Sequence, residues 1–478
     1  MNPFHHALAS LAGLTLILTA VDAPPLPAQA GLTWSARFDG AGAAGAVDNL
    51  RDLGVDSAGN SYVTGASMGP TGRIGAVTIK YDAAGQRVWL HRYESAPAGG
   101  EEGVALTVGA DALYVAGRTE VSGPAFPGPD ILLLKYDLDG NLIWARTYDG
   151  PAADGDFARA IALDGAGNIV VLGQADTSTT AADLVLLKYA PDGTRLWATL
   201  YDGPGHGNDR AFQLAIDGAG NIVVSGAVPV PGTVTSVDVC ALMFSPAGVL
   251  AWERFFDGEG HLEDSPGGLW VDGAGNAYLT AGLAFDIFSS AWWTAKLAAA
   301  DGAVMWERTD PLLLPASPTG LVLTPGDEVV VSAFASDPAP SSLVVVRYDA
   351  AGNTVWRHIE RGMLLPTLGR RTLAAGNDGG IHALGIGVNP TTGQDFQLVS
   401  LSAAGTLRAS VLFGSTGLGA DLPVAVSAAP DGTALLAGDL LQPGTQINWD
   451  YGVARARSGV FADGFESGDT GAWTTIQP

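Results

Sequence analysis

"LLLKYDLDGNLIWARTYDG", residues 132–150, reads as two β-strands around a tight Asp-Gly turn, and the phrase returns as "LVLLKYAPDGTRLWATLYDG" at residues 184–203. Glycine is needed in such a turn because one residue takes a positive φ, where a Cβ would clash. Working outward, Trp recurs at Trp34, Trp89, Trp144, Trp197, Trp252, Trp306 and Trp356, at spacings of 50 to 55 residues. From Trp89 onward each follows a turn glycine by four residues: Gly85, Gly140, Gly193, Gly248, Gly302 and Gly352. A seventh such turn, at Gly405, has Ala409 where Trp would stand. A second hairpin phrase precedes each turn, as in "VDSAGNSYVTG" (55–65), "LDGAGNIVVLG" (163–173), "IDGAGNIVVSG" (216–226) and "VDGAGNAYLTA" (271–281). Each unit therefore holds four short strands in about 40–55 residues, with no helical period between them, which is the pattern of a β-propeller blade.

The first hairpin occurs eight times, but the last unit, near 422–457, has no good fourth strand. At the other end "TWSARFDG" (33–40) matches "IWARTYDG" (143–150) as a fourth strand without a unit of its own. An open ring would leave unpaired sheet edges, so the expected fold is all-β: an eight-bladed propeller of four-stranded antiparallel blades, closed by the N-terminal strand. The expected divisions are a secretory signal over 1–30, the propeller over 31–460 and an acidic tail over 461–478.

The two phrases together resemble the bacterial β-propeller repeat family often called SBBP, with its "VDxxGNxYVTG" and later "KYDxxGxxxW" patterns. The resemblance covers about residues 33–457. It implies an exported propeller module and names no activity. The turn before Trp also resembles the Asp-box of sialidases, but the Gly-to-Trp spacing differs by one residue, so no sialidase residues are carried over. "KLAAADGAVMWER" (296–308) resembles repeats of pyrroloquinoline-quinone dehydrogenases, whose adjacent Cys pair is missing here.

Composition narrows the function classes. With 24 basic against 49 acidic residues the formal charge is −25, which disfavours nucleic acid and anionic membrane surfaces as partners. The single cysteine, Cys240, excludes an intrachain disulfide or a thiolate metal cluster and reads as a small core side chain. The apolar run from Ala7 to Val21 is too short to span a bilayer, and Ala28-Gln29-Ala30 fits a cleavage site. Export to the periplasm, cell surface or medium is the expectation, as a monomer without a transmembrane segment.

Most residues that suggest chemistry have structural uses. Lys80, Lys135, Lys188, Lys296 and Arg347 occupy the third strand of their units, away from the axis, where a salt bridge or aliphatic-stem packing between adjacent blades is expected. "DLDGN" (137–141) resembles the start of a calcium loop, but its sister turns lack the second carboxylate, and a plain Asx turn explains it. His91, His206, His261, His358 and His382 are scattered and are read as exposed or loop positions. Trp292 and Trp293 are read as packing between blades, not as a sugar platform.

One set of residues remains as a candidate site. Counting back along each innermost strand gives an acid at its entry in six units: Asp48, Glu101, Asp156, Asp209, Asp264 and Asp421. They are expected on one face, close to the axis. The preferred account is capping of backbone N–H groups; the sharper one is an acidic collar drawing a cation, calcium among them, or a basic ligand into the channel. No motif implies a cofactor, a catalytic residue or a resident metal. The expected function is a non-enzymatic binding or scaffold module at or outside the cell envelope, with an extracellular or envelope protein or glycan as partner. The alternatives are a polysaccharide hydrolase or lyase with an acidic site at the channel mouth, and a cofactor-free envelope assembly scaffold of quinoprotein shape.

Overall fold

The structure, a computed structural model, describes residues 31–457 except for 41–47, 96–99, 121–127, 153–154, 178–180, 232–236, 287–288, 311–315, 336–340, 367–370, 416–418 and 443–448. The expected signal (1–30) and tail (461–478) lie outside the described residues.

Eight sheets form the ring, and within blades 1 to 7 the chain runs from the innermost strand outward. We number the blades 1 to 8 from the one that begins with Asp48–Val55. Blade 8 is completed by the N-terminal strand Leu32–Phe38, which pairs with the blade's third strand Trp449–Ala456 from Leu32↔Ala456 to Phe38↔Tyr451. Ring closure is thus the expected one. Blade 7 departs from the pattern: its inner strand is broken into Met363–Leu364 and Leu373–Ala375. Pro366, with no N–H to donate, falls in the break.

The apolar core lies between blades. Val170, Leu172, Leu184 and Leu186 of blade 3, for example, pack on Ile222, Val224, Cys240 and Leu242 of blade 4. Cys240 is buried there, as expected, and so are Trp292 and Trp293 in their seams.

The recurring Trp and Gly prove to be two halves of one contact. The indole of Trp144, on the outer strand of blade 2, donates to the Pro191 carbonyl in the turn of blade 3. Gly193 of that turn has φ +85, and a Cβ there would lie 3.0 Å from the Trp144 ring. Trp34, Trp89, Trp197, Trp252, Trp306 and Trp356 make the same bond to the next blade's turn, so the seven span 2.9–3.2 Å. The cation facing each Trp across the sheet often shares the acceptor. Lys80 joins Trp89 on the Leu138 carbonyl, Lys135 joins Trp144 on Pro191, and Lys188 joins Trp197 on Pro246. Arg347 joins Trp356 on Ala403. These cations do reach the adjacent blade, but by a hydrogen bond to a turn carbonyl and not by the expected salt bridge. Their ion pairs lie within a blade: Lys188 with Asp164 at 2.9 Å, Lys296 with Asp272 at 3.1 Å, and Arg347 with Glu328. In blade 8 the partner of Trp34 is Arg455, and both reach Ala83 of blade 1.

Blade 7 alone lacks both members, with Ser400 opposite Ala409. The reason is topological. The third and fourth strands of blade 8 come from opposite ends of the chain, so no turn joins them and nothing is there to receive an indole.

Candidate functional site

The inner strands surround a central cavity of about 1190 Å³. In blades 1 to 6 and 8 the pairing register of the inner strand slips by one residue, at Arg51, Val104, Arg159, Phe212, Gly267, Thr319 and Val424. Five of them, Arg51, Val104, Arg159, Phe212 and Val424, line the cavity. An extra residue in one strand re-aims side chains next to it, and here it brings those five to the axis.

The charged residues that line the cavity are Arg51, Arg118, Arg159 and Arg371 against Asp52 and Glu102. Glu102 is held by Arg51 and, at 2.8 Å, by Arg118. Asp52 accepts the Leu106 N–H at 2.8 Å and faces Arg371 at 3.5 Å. Arg371, from blade 7, also reaches the Leu53 carbonyl of blade 1 at 3.3 Å, so it crosses the ring interior. Arg159 bonds to Gln174 at 3.1 Å and remains exposed to the channel. Its surroundings desolvate it and push its pKa below the usual guanidinium value, with nearby Glu102 opposing. The cavity thus carries a local excess of positive charge inside a strongly acidic protein. Phe212 and Trp270 add exposed aromatic surface to its wall.

The six strand-entry acids stand elsewhere. None lines the cavity, and their exposures run only from 0% to 2%. Each accepts a backbone N–H from the segment linking it to the preceding blade. Asp48 takes Gly40 at 2.6 Å, Glu101 takes Ser95 at 3.0 Å, Asp156 takes Gly150 at 2.5 Å and Asp209 takes Gly203 at 2.7 Å. Asp264 takes Gly258 at 3.0 Å and Asp421 takes Ser415 at 2.7 Å. Burial drives the pKa of the five aspartates upward: Asp156 and Asp209 to about 7, Asp264 and Asp421 to about 6, with Asp48 raised for the same reason. The caps are present, and the acids sit in the seams between blades, not around the channel mouth.

The remaining candidates resolve case by case. Asp137 accepts the N–H groups of Asp139 and Asn141 and the Asn141 side chain, which is an Asx turn. His206 and His261 are exposed and paired with Asp202 and Asp257. His382 and His91 depart from the expected exposure. His382 is buried in the second strand of blade 7 with Nδ1 2.9 Å from Ser400 Oγ, and burial lowers its pKa to about 4. His91 stacks on Tyr136, and desolvation lowers its pKa too. Both were misread because a strand residue's burial depends on which seam it faces.

No protein-family model and no curated protein matches the sequence. Among solved structures, the chain is similar to the WD40 domain of SCAP from fission yeast, at 10% identity over 91% of this chain and 98% of that one, TM-score 0.44. It is also similar to the polysaccharide lyase Uly1, at 11% identity over 78% and 93%, TM-score 0.41. A third is the subtype N11 neuraminidase-like protein of A/flat-faced bat/Peru/033/2010 (H18N11), at 10% identity over 92% and 99%, TM-score 0.40. These are likenesses of fold. The chain is an eight-bladed β-propeller, and no helix among the described residues is long and apolar enough to cross a membrane.

Proposed function

We propose that this protein is a binding or scaffold module, of the exported propeller-repeat kind its phrases resemble, and that its working surface is the arginine-lined channel. The observation that carries this reading is the contrast between repeated and unrepeated residues. Trp, Lys and the entry acids are absorbed by contacts between blades, whereas Arg51, Arg118, Arg159 and Arg371 converge on the axis. Such a channel suits a ligand with carboxylate or sulfate groups, such as an acidic glycan or an acidic segment of an envelope protein, because guanidinium groups bind planar anions in pairs. Both carboxylates of the channel are engaged by arginines, which speaks for binding over acid–base catalysis. The overall negative charge would repel such a ligand at a distance, so capture should depend on the channel's local field and on salt.

The test is retention of acidic, neutral and basic glycans and peptides on the purified protein at low and high salt, with turnover assayed in parallel. Preference for acidic ligands, weakened about tenfold in an Arg118→Ala/Arg159→Ala double variant, is the expected result. Turnover that Glu102→Gln abolishes would establish the hydrolase or lyase alternative instead. Export is tested separately, by fractionating the producing cells and sequencing the mature N-terminus, which should begin after Ala30.

A further inference from the structure

Three consecutive seams repeat one arrangement. Asp130, Asp149 and Asp156 meet between blades 2 and 3, Asp183, Asp202 and Asp209 between blades 3 and 4, and Asp238, Asp257 and Asp264 between blades 4 and 5. In each triad the carboxylate oxygens lie within 4.8 Å of one another. Spacing along the chain is identical in the three. The first Asp is on a third strand, the second follows the outer strand paired beside it, and the third enters the next blade.

We propose that each of these seams binds one divalent cation, calcium by its ligand chemistry, which fastens neighbouring blades together. Calcium takes hard oxygen ligands, carboxylates completed by water and carbonyl oxygens. Proximity of acids would not suffice alone, but each triad also holds a buried carboxylate oxygen without a donor: Oδ1 of Asp156, Oδ1 of Asp209 and Oδ1 of Asp238. Asp156 and Asp209 are fully buried and Asp238 is 3% exposed. A buried acceptor left unpaired is costly, and one in each triad, on the strand-entry Asp156 and Asp209 and on the third-strand Asp238, calls for a shared positive partner. Space is kept for it. A Cβ on Gly150 or Gly203 would come within 2.7 Å of Asp156 Oδ1 or Asp209 Oδ1. The second Asp of each triad is exposed, so water can complete the coordination sphere.

A fourth triad provides an internal comparison. Asp39, Asp48 and Asp450 meet in the same way at the closing seam, but there Arg37 pairs with Asp450. Thr147, Leu200 and Phe255 hold the corresponding position in the other three seams. The closing seam carries a guanidinium at a position where the other three have none. His206 and His261 hydrogen-bond to the exposed Asp202 and Asp257 at 2.7 and 2.5 Å, and act on the buried Asp209 and Asp238 through charge alone.

The experiment uses the full chain, stripped with chelator and desalted, at pH 8. Titration with calcium chloride should show uptake of three ions per chain and a melting temperature raised by several degrees. Asp149→Asn, Asp202→Asn and Asp257→Asn change exposed members, and each should remove one bound ion while leaving the melting temperature in chelator unchanged. Asp39→Asn should leave the count at three. Absence of both uptake and stabilisation in the stripped protein overturns the proposal, as does a count that the three variants leave intact. Should a variant fail to fold, the melting shift of the unmodified chain with calcium against that with sodium still decides the matter.

Discussion

Around the rim, seven tryptophans make one and the same bond to the next blade, whereas the bulged position at the axis carries Arg51, Val104, Arg159, Phe212 or Val424 according to the blade. Both regions are built from the same four-stranded unit, so the difference does not come from the backbone. A closed ring needs its seams fastened, and one solution to that problem serves at every seam but the one between blades 7 and 8. The channel wall needs only to exclude strain, and its residues are free to differ. Repetition therefore marks what holds the ring, and its absence marks where a ligand can be distinguished.

The largest effect should come from breaking the ring itself. Removing residues 31–40 strips the outer strand from blade 8, exposes the edge of Trp449–Ala456 and deletes Trp34, which fastens blade 8 to blade 1. Cooperative thermal unfolding, followed by circular dichroism, should be lost. A truncated chain that melts like the full one would show that closure matters little. One step down is Trp144→Ala, which empties a nearly buried site beneath the turn of blade 3. Loss of a buried Trp costs about 3–5 kcal/mol, readable as a lower denaturant midpoint. An equal cost from Arg159→Ala would erase the distinction between rim and axis.

Much of this was legible in the sequence because it repeats. The blade count, the closing strand and the contacts of Lys80, Lys135 and Lys188 all follow from aligning units. Features formed by chain segments far apart were not legible. Arg455 completes the clasp of Trp34, but the two belong to opposite ends of the chain and no phrase contains both. The register slip that brings Arg51 and Arg159 to the axis is invisible to a count of alternating residues, since one extra residue exchanges the faces of a strand. The entry acids were found as residues and misplaced in space. Strand order predicts that they enter the innermost strands, but not that each carboxylate is buried and takes a backbone N–H from the residues after the preceding blade.

His382 offers a smaller and pH-dependent effect at a rim-type, buried position. Its pKa is lowered by burial to about 4, so the folded protein keeps it neutral where the unfolded chain, near 6.5, would protonate it. The sign follows: the stability this group contributes is complete above pH 6.5 and falls away as pH drops toward 4. The loss approaches about 3 kcal/mol. The seam aspartates have raised values and act in the opposite direction, so the unmodified protein's profile mixes both. Subtracting the profile of His382→Gln, whose amide can still meet Ser400, isolates the histidine. The difference should grow below pH 6.5 and vanish above pH 7, and a flat difference would mean that His382 is not held neutral.

The smallest expected change in stability is the one that bears most on function. Arg159→Ala removes an exposed side chain that bonds to Gln174, and Gln174 keeps its own bond to the Asp209 carbonyl at 2.9 Å. The substitution is exposed and lies outside the apolar core, so unfolding free energy should stay within about 0.5 kcal/mol of the parent. Removal of a partly desolvated cation costs the fold little, because burial already works against its charge. Retention of acidic ligands should nonetheless fall, and more steeply at low salt, where guanidinium–anion attraction is least screened. Intact stability together with lost retention would place ligand recognition in the channel. Unchanged retention would instead move the working surface away from the axis, toward the outer faces of the blades.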